Sequence, residues 1–189
     1  KKLLDAGEHQ KGYVDAIALA EAGIGTAVAP LGTALTEEQL ELLWRAGPEP
    51  ILCFDGDKAE RRAGYRAVDL ALPKLEPGKS LSFALLPEGQ DPDDLIRSGG
   101  RAAMDEVLKS ARPLAEILWM RETESTSFDT PERRAALEAR LNEITGTIGH
   151  EAVRKYYRQD FEARMRALFM PVQQAGGYER GRRFEPNRR

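Results

Sequence analysis

The stretch Ile51–Gly64, "ILCFDGDKAERRAG", decides the fold. Four apolar residues run straight into Asp55-Gly56-Asp57, and a basic segment with helical character follows. An unbroken apolar run of this length reads as a strand buried on both faces, the kind that parallel sheets contain. Gly56 lets the backbone turn tightly between the two aspartates. The flanking sequence repeats the theme. Residues 12–24, "GYVDAIALAEAGI", read as a helix with Val14, Ile17, Ala18 and Leu19 on one face and Gly23 as its stop. "TAVAP" (26–30) reads as a short buried strand. "TEEQLELLWRAG" (36–47) opens with Thr36 and Gln39 as a capping box and closes at Gly47. A helix over 58–72 stops before Pro73, and "SLSFALLP" (80–87) reads as another strand. This alternation of helices and strands predicts an α/β fold with a small parallel sheet flanked by helices. Ligand sites in such sheets lie at the carboxyl ends of the strands, where "FDGD" and "LPEGQDPDD" (86–94) fall.

After Asp94 the pattern becomes helical: 93–100, 101–111, 112–124, 130–148 and 150–170 all have helical character. Thr130 before Pro131 marks a helix start, because proline is favoured at the first helical position. The expected organisation is therefore an α/β part over residues 1–98, a helical subdomain over 99–170, and a basic tail over 171–189. The composition of that tail, rich in Gln, Gly and Arg, predicts disorder. Its last twelve residues hold five arginines against two glutamates, whereas the whole chain carries a net charge of −3. A basic tail on an acidic body is suited to touching a polyanion.

The 189 residues, 41% apolar, suit one compact domain with appendages or two small ones. A single cysteine, Cys53, excludes an internal disulfide and fits a reducing compartment. Its place in the run "ILCF" marks it as a small core residue rather than a nucleophile. With two histidines and one cysteine, a structural zinc site is not expected. No signal peptide and no apolar run of about 18 residues is seen, so neither secretion nor a membrane span is expected. The opening "KKLLDAGEHQ" lacks an initiator Met, as in a fragment.

The aspartates carry the chemistry. Asp55 and Asp57 close one strand, Asp91, Asp93 and Asp94 follow another, and neighbouring parallel strands would bring the two groups together. Carboxylates gathered in one cleft repel one another unless they protonate or hold a cation. Hard oxygen donors without His or Cys select Mg²⁺ or Mn²⁺, usually together with substrate phosphates. Plain structural roles compete. Asp91 before Pro92 is a good N-cap, Asp93 and Asp94 suit a first helical turn, and Asp-Gly-Asp is a common turn. Gly32 and Thr33, in "PLGTALT" at a strand end, either approach phosphate or metal or simply shape a helix start. Lys58, Arg61 and Arg62 read as a solvated helix face, and Trp44, Trp119, Tyr156, Tyr157 and Phe161 as core aromatics.

Taken in order, "GYVDAIALAEAGI", "AVAPLGTALTEEQ", "ILCFDGDKAERRA" and "LLPEGQDPDDLIRSGG" resemble the Toprim part of bacterial DnaG-type DNA primases, and the likeness continues to about Phe169. The resemblance implies a Toprim fold and metal-dependent synthesis of RNA primers by nucleotidyl transfer. It implies a single-stranded DNA template, ribonucleoside triphosphates as substrates, a replicative helicase as partner, and a cytoplasmic place in the replication machinery. It puts metal ligands at Asp55, Asp57, Asp91 and Asp93, with Asp94 just beyond the pair and Asp15 near the site. The resemblance covers about the second half of the primase polymerase domain.

One departure matters most. Where the family carries a glutamate on the first strand, just before Gly-Tyr, this chain has Lys11. An ammonium has no lone pair to ligate Mg²⁺ or accept a proton. Glu8 is three residues away, off the face a strand would present. The polar run "DAGEHQ" replaces an apolar strand, and Glu60 replaces a glycine, so the first strand is expected to be altered or missing. The catalytic group is therefore left unassigned. Four readings follow: a primase catalytic fragment, inactive by itself; another Toprim enzyme, such as a nuclease or topoisomerase subunit; a haloacid-dehalogenase-type phosphatase, which "DGDKAE" fits poorly; and a non-catalytic binding module with a vestigial metal site.

Overall fold

The computed structural model describes residues 3–5, 11–29, 35–54, 58–87, 89–124 and 126–169, with backbone alone at 3–5, 11–13 and 58–60. Asp55, Asp57, Gly32, Thr33, Glu8 and the tail from 171 therefore lie outside the described residues. The elements are β1 (Leu3–Asp5), α1 (Lys11–Glu21), β2 (Ala27–Val28), α2 (Glu37–Ala46), β3 (Ile51–Phe54), α3 (Lys58–Ala71) and β4 (Ser82–Leu85). They are followed by α4 (Pro92–Lys109), β5 (Arg112–Pro113), α5 (Leu114–Thr123), α6 (Pro131–Gly146) and α7 (Glu151–Phe169). The sheet runs β2-β1-β3-β4-β5. Its first four strands are mutually parallel, and β5 pairs antiparallel with β4.

The first strand is present. β1 lies between β2 and β3, with Leu3 opposite Ile51 and Leu4 opposite Leu52. Of the two expectations for this strand, altered or missing, the second is corrected. The polar run that argued against a strand starts at Asp5, where the strand ends; Leu3 and Leu4 precede it. Lys11 consequently opens α1 instead of sitting in a strand.

All four residues of β3 are buried, and alternation along the strand sends them to two different cores. Leu52 and Phe54 join Phe83 of β4, Leu40, Leu43 and Trp44 of α2, Val68 of α3 and Leu118 of α5. Ile51 and Cys53 join Ala84 of β4, Leu19 of α1, and Leu95 and Met104 of α4. Helices thus cover both faces, as a parallel sheet requires. The capping box is formed: Thr36 N–H donates to Gln39 Oε1 at 3.0 Å and Gln39 N–H donates to Thr36 Oγ1 at 3.3 Å. Trp44 keeps its indole in the first core by donating Nε1–H to the Ser80 carbonyl at 2.9 Å.

The helical part extends this first core. Leu137, Leu141 and Ile144 of α6, Ile148 after it, and Phe161 of α7 belong to the same cluster as Leu52 and Phe83. Trp119 of α5 stacks on Phe161 with ring centroids 6.1 Å apart. The boundary expected at 98/99 falls inside α4, near a kink at Gly100 (φ 64°, ψ −170°), a conformation open essentially to glycine. The two helical segments read from the sequence meet at that kink. Beyond it, α4, β5 and α5 still build on the sheet.

Two outcomes test this packing. Phe83 is 2% exposed and stacks on Phe54 at 6.0 Å, so Phe83→Ala is expected to cost about 3–5 kcal/mol of unfolding free energy in denaturant melts. Burial, helped by the nearby Asp160 charge, raises the Tyr157 phenol above its ordinary value. A raised acid contributes stability below its unfolded value near 10 that is lost as pH rises further. Urea midpoints should therefore fall above about pH 10, and Tyr157→Phe should flatten that fall.

Candidate metal centre

The carboxyl ends of β3 and β4 are neighbours. Phe54 and Leu85 are opposite partners in the ladder, and Leu86 N–H donates to the Phe54 carbonyl at 3.0 Å, extending the pairing by one residue. Asp55 follows Phe54 directly in the chain. On the β4 side, a turn closed by Gln90 N–H donating to the Pro87 carbonyl at 3.1 Å delivers Asp91 to the start of α4.

The first turn of α4 has all its donors satisfied, and carboxylates do most of it. Pro92 at the first position has no N–H to leave orphaned. Asp93 N–H donates to Asp15 Oδ1 at 3.0 Å, across from α1. Asp94 N–H donates to Asp91 Oδ1 at 2.8 Å. Leu95 N–H donates to the Asp91 carbonyl at 3.0 Å, the first ordinary helical bond. The N-terminal end of the helix dipole favours these negative charges. Asp91 is thus the N-cap, as one sequence reading had it, and that role occupies one carboxylate oxygen.

Asp15 is 2% exposed, and the Asp93 side chain is 14% exposed. Asp93 pairs with Arg97 at 2.8 Å; the arginine is 72% exposed, so water screens the pair and the side chain can swing away at little cost. Asp94 faces solvent. Three carboxylates, from Asp15, Asp91 and Asp93, therefore border one helical turn.

The donor chemistry suits a hard divalent cation: oxygen ligands alone, with Cys53 buried in the second core. Among the described residues, however, no group of three or more His, Cys, Asp or Glu side chains has the geometry to hold a metal ion. Asp55 and Asp57, which the sequence reading adds to this set, lie outside the described residues. On the other face, Arg61 borders a cleft of about 210 Å³ between Phe54, Tyr65, Phe83 and Met120. Arg62 is exposed, as a solvated helix face would have it.

Sequence reasoning missed two contacts. Arg101 of α4 donates to the Ala22 and Gly23 carbonyls at 3.3 and 3.1 Å, closing the C-terminus of α1. Gly23 has φ +83°, a left-handed conformation that strains any residue with a side chain, and a Cβ there would push the guanidinium aside from 2.6 Å. The second is the Asp15–Asp93 bond. Its signal was available: Asp15 precedes Ala18 and Leu19 by three and four residues, which puts a carboxylate on the apolar stripe. A buried carboxylate needs a partner.

Comparison with known proteins follows the same residues. Residues 11–96 match the Toprim-like family model. The DNA primase of Rickettsia felis is 42% identical over 149 residues, which is 78% of this chain and 25% of that protein. The DNA primase of Escherichia coli K12 is 39% identical over 150 residues, 79% of this chain and 26% of that protein. A solved DnaG primase catalytic domain bound to single-stranded DNA superimposes with a TM-score of 0.78 at 35% identity, covering 87% of this chain and 50% of that one. The chain thus spans about a quarter of the length of the curated relatives it matches.

Capping separates Asp91 from Asp94. Asp91→Ala removes an acceptor from the Asp94 amide and should cost about 1 kcal/mol of stability. Asp94→Ala should change stability by less than about 0.5 kcal/mol, as a surface substitution. Paired chemical denaturation curves measure both.

Proposed function

As a homologue of the catalytic core of bacterial DnaG-type primases, this chain, we propose, is the Toprim-bearing part of a DNA primase, an enzyme that makes short RNA primers by metal-dependent nucleotidyl transfer. The observation that carries the proposal is the β3–β4 register. Two adjacent parallel strands end together, and each is followed by an aspartate-bearing segment, "DGD" after one and "DPDD" after the other. In this reading Asp55, Asp57, Asp91 and Asp93 hold Mg²⁺ or Mn²⁺, and Asp15 and Asp94 stand beside them with Gly32 and Thr33 near. A divalent cation bound there would neutralise nucleotide phosphates and the charge that develops in the transfer.

The chain's own contribution is placement. The β3–β4 ladder sets the spacing between the two acidic segments. The N-terminus of α4 offsets part of their charge, and the caps on Asp93 and Asp94 hold that turn rigid. The single-stranded DNA template and the ribonucleoside triphosphates would meet this end of the sheet, together with parts of the polymerase domain outside these 189 residues. Contact with a replicative helicase would belong to a further domain. Among the described residues no helix is long and apolar enough to cross a membrane; the primase reading itself carries a place in the cytoplasmic replication machinery.

A second reading rests on Lys11. A cation where relatives of this type carry a carboxylate would weaken metal binding, leaving a nucleic-acid-binding module with a vestigial site. Mn²⁺ titration by calorimetry and by water-proton relaxation distinguishes the two. Under the primase reading the chain binds Mn²⁺, Asp57→Asn loses that binding, and Lys11→Glu strengthens it several-fold. No binding by the chain, together with salt-sensitive affinity for single-stranded DNA that disappears on deleting 171–189, would establish the module instead.

A further inference from the structure

We infer that Asp15 is a positioning residue: from α1 it fixes the first turn of α4, and through that turn the direction in which Asp93 presents its carboxylate to a divalent cation. The inference rests on the metal reading above and adds a role that reading left open, since nearness alone would equally make Asp15 a ligand. One contact carries the positioning role. Asp15 Oδ1 receives the main-chain N–H of Asp93 at 3.0 Å, and the residue is 2% exposed. That bond ties Asp15 to the backbone of a proposed ligand.

The rest of the α1–α4 contact makes this bond a constraint rather than an accident of proximity. Leu19 and Ile24 pack with Leu95 and Met104 in one core. At the far end, Arg101 of α4 grips the last carbonyls of α1, Ala22 and Gly23. The helices are thus tied by polar bonds at both ends with apolar packing between. Pro92 cannot donate, so the Asp93 amide is the first free donor of α4. Asp15 takes it, while Asp91 takes the next through its own side chain. Removing Asp15 would leave that amide without this acceptor, and the turn would gain freedom just where Asp93 projects. Groups that orient metal ligands without touching the metal typically govern affinity by about 10–100-fold.

The test compares Asp15→Asn with Asp15→Ala. Asparagine keeps an Oδ1 acceptor for the Asp93 amide; alanine does not. Mn²⁺ affinity is measured by calorimetry on the whole chain, the two variants and Asp57→Asn. Amide hydrogen exchange at Asp93 is followed by ¹⁵N NMR without metal, so one readout is independent of loading. If Asp15 positions, Asp15→Ala loses about tenfold or more in Mn²⁺ affinity and loses protection at the Asp93 amide. Asp15→Asn stays within a few-fold on affinity and keeps the protection. Asp15→Asn falling as far as Asp57→Asn would make Asp15 a ligand and overturn the inference. So would Asp15→Ala binding like the parent chain. A parent chain that takes up no Mn²⁺, or an Asp57→Asn variant that binds unchanged, overturns the metal reading itself, a distinct result. If Asp15→Ala fails to fold, Asp15→Asn still decides between acceptor and ligand.

Discussion

The structure depends on the burial of β3 from both sides. Its four side chains alternate between two separate cores, so neither core forms without the other's strand in place. A single strand with a hydrophobic demand on each face recruits helices above and below it, and the parallel partners β1 and β4 complete the surface those helices cover. The carboxyl ends of β3 and β4, which the acidic segments follow in the chain, inherit their position from this arrangement. They are where the strand runs out of apolar residues.

The second determinant is the pairing of α1 with α4. Two polar clamps, one at each end, bracket a strip of apolar contacts, so the helices are fixed against sliding as well as separating. Hydrogen bonds to charged groups are among the stronger ones available in a protein, and a half-satisfied set would cost more than none. The result is a rigid first turn of α4 at the mouth of the sheet, built largely from aspartates that cap it.

Much of this was legible in the chain. The run Ile51–Phe54, the capping box at Thr36, the proline starts at Pro92 and Pro131 and the helix stop at Gly23 all report local chemistry, which sequence carries directly. The first strand was not legible, because two leucines beside a polar run carry too little pattern; its pairing with β3 supplies what the sequence withholds. The 98/99 boundary blurred for a related reason. A glycine kink inside α4 looks like a break, yet the helices beyond it pack on the same core as β3 and β4. The acidic segments that follow β3 and β4 were legible as residue types and spacing. Asp15 on the apolar stripe signalled a buried carboxylate, but its partner, Asp93, lies 78 positions away, beyond any local pattern.

The shared first core has a consequence for how the chain is made. Leu52 and Phe54 emerge from the ribosome before much of their cover, which includes Leu118, Leu141 and Phe161, the last of them synthesised more than a hundred residues later. A nascent chain that has finished β4 has α2 and α3 on this face of its sheet but still lacks the cover from α5, α6 and α7. At ordinary elongation speeds of about 5–20 residues per second, that face waits several seconds for its last helix. The stretch "ILCF" therefore shapes the mature molecule and also sets its moment of greatest dependence on chaperones during synthesis.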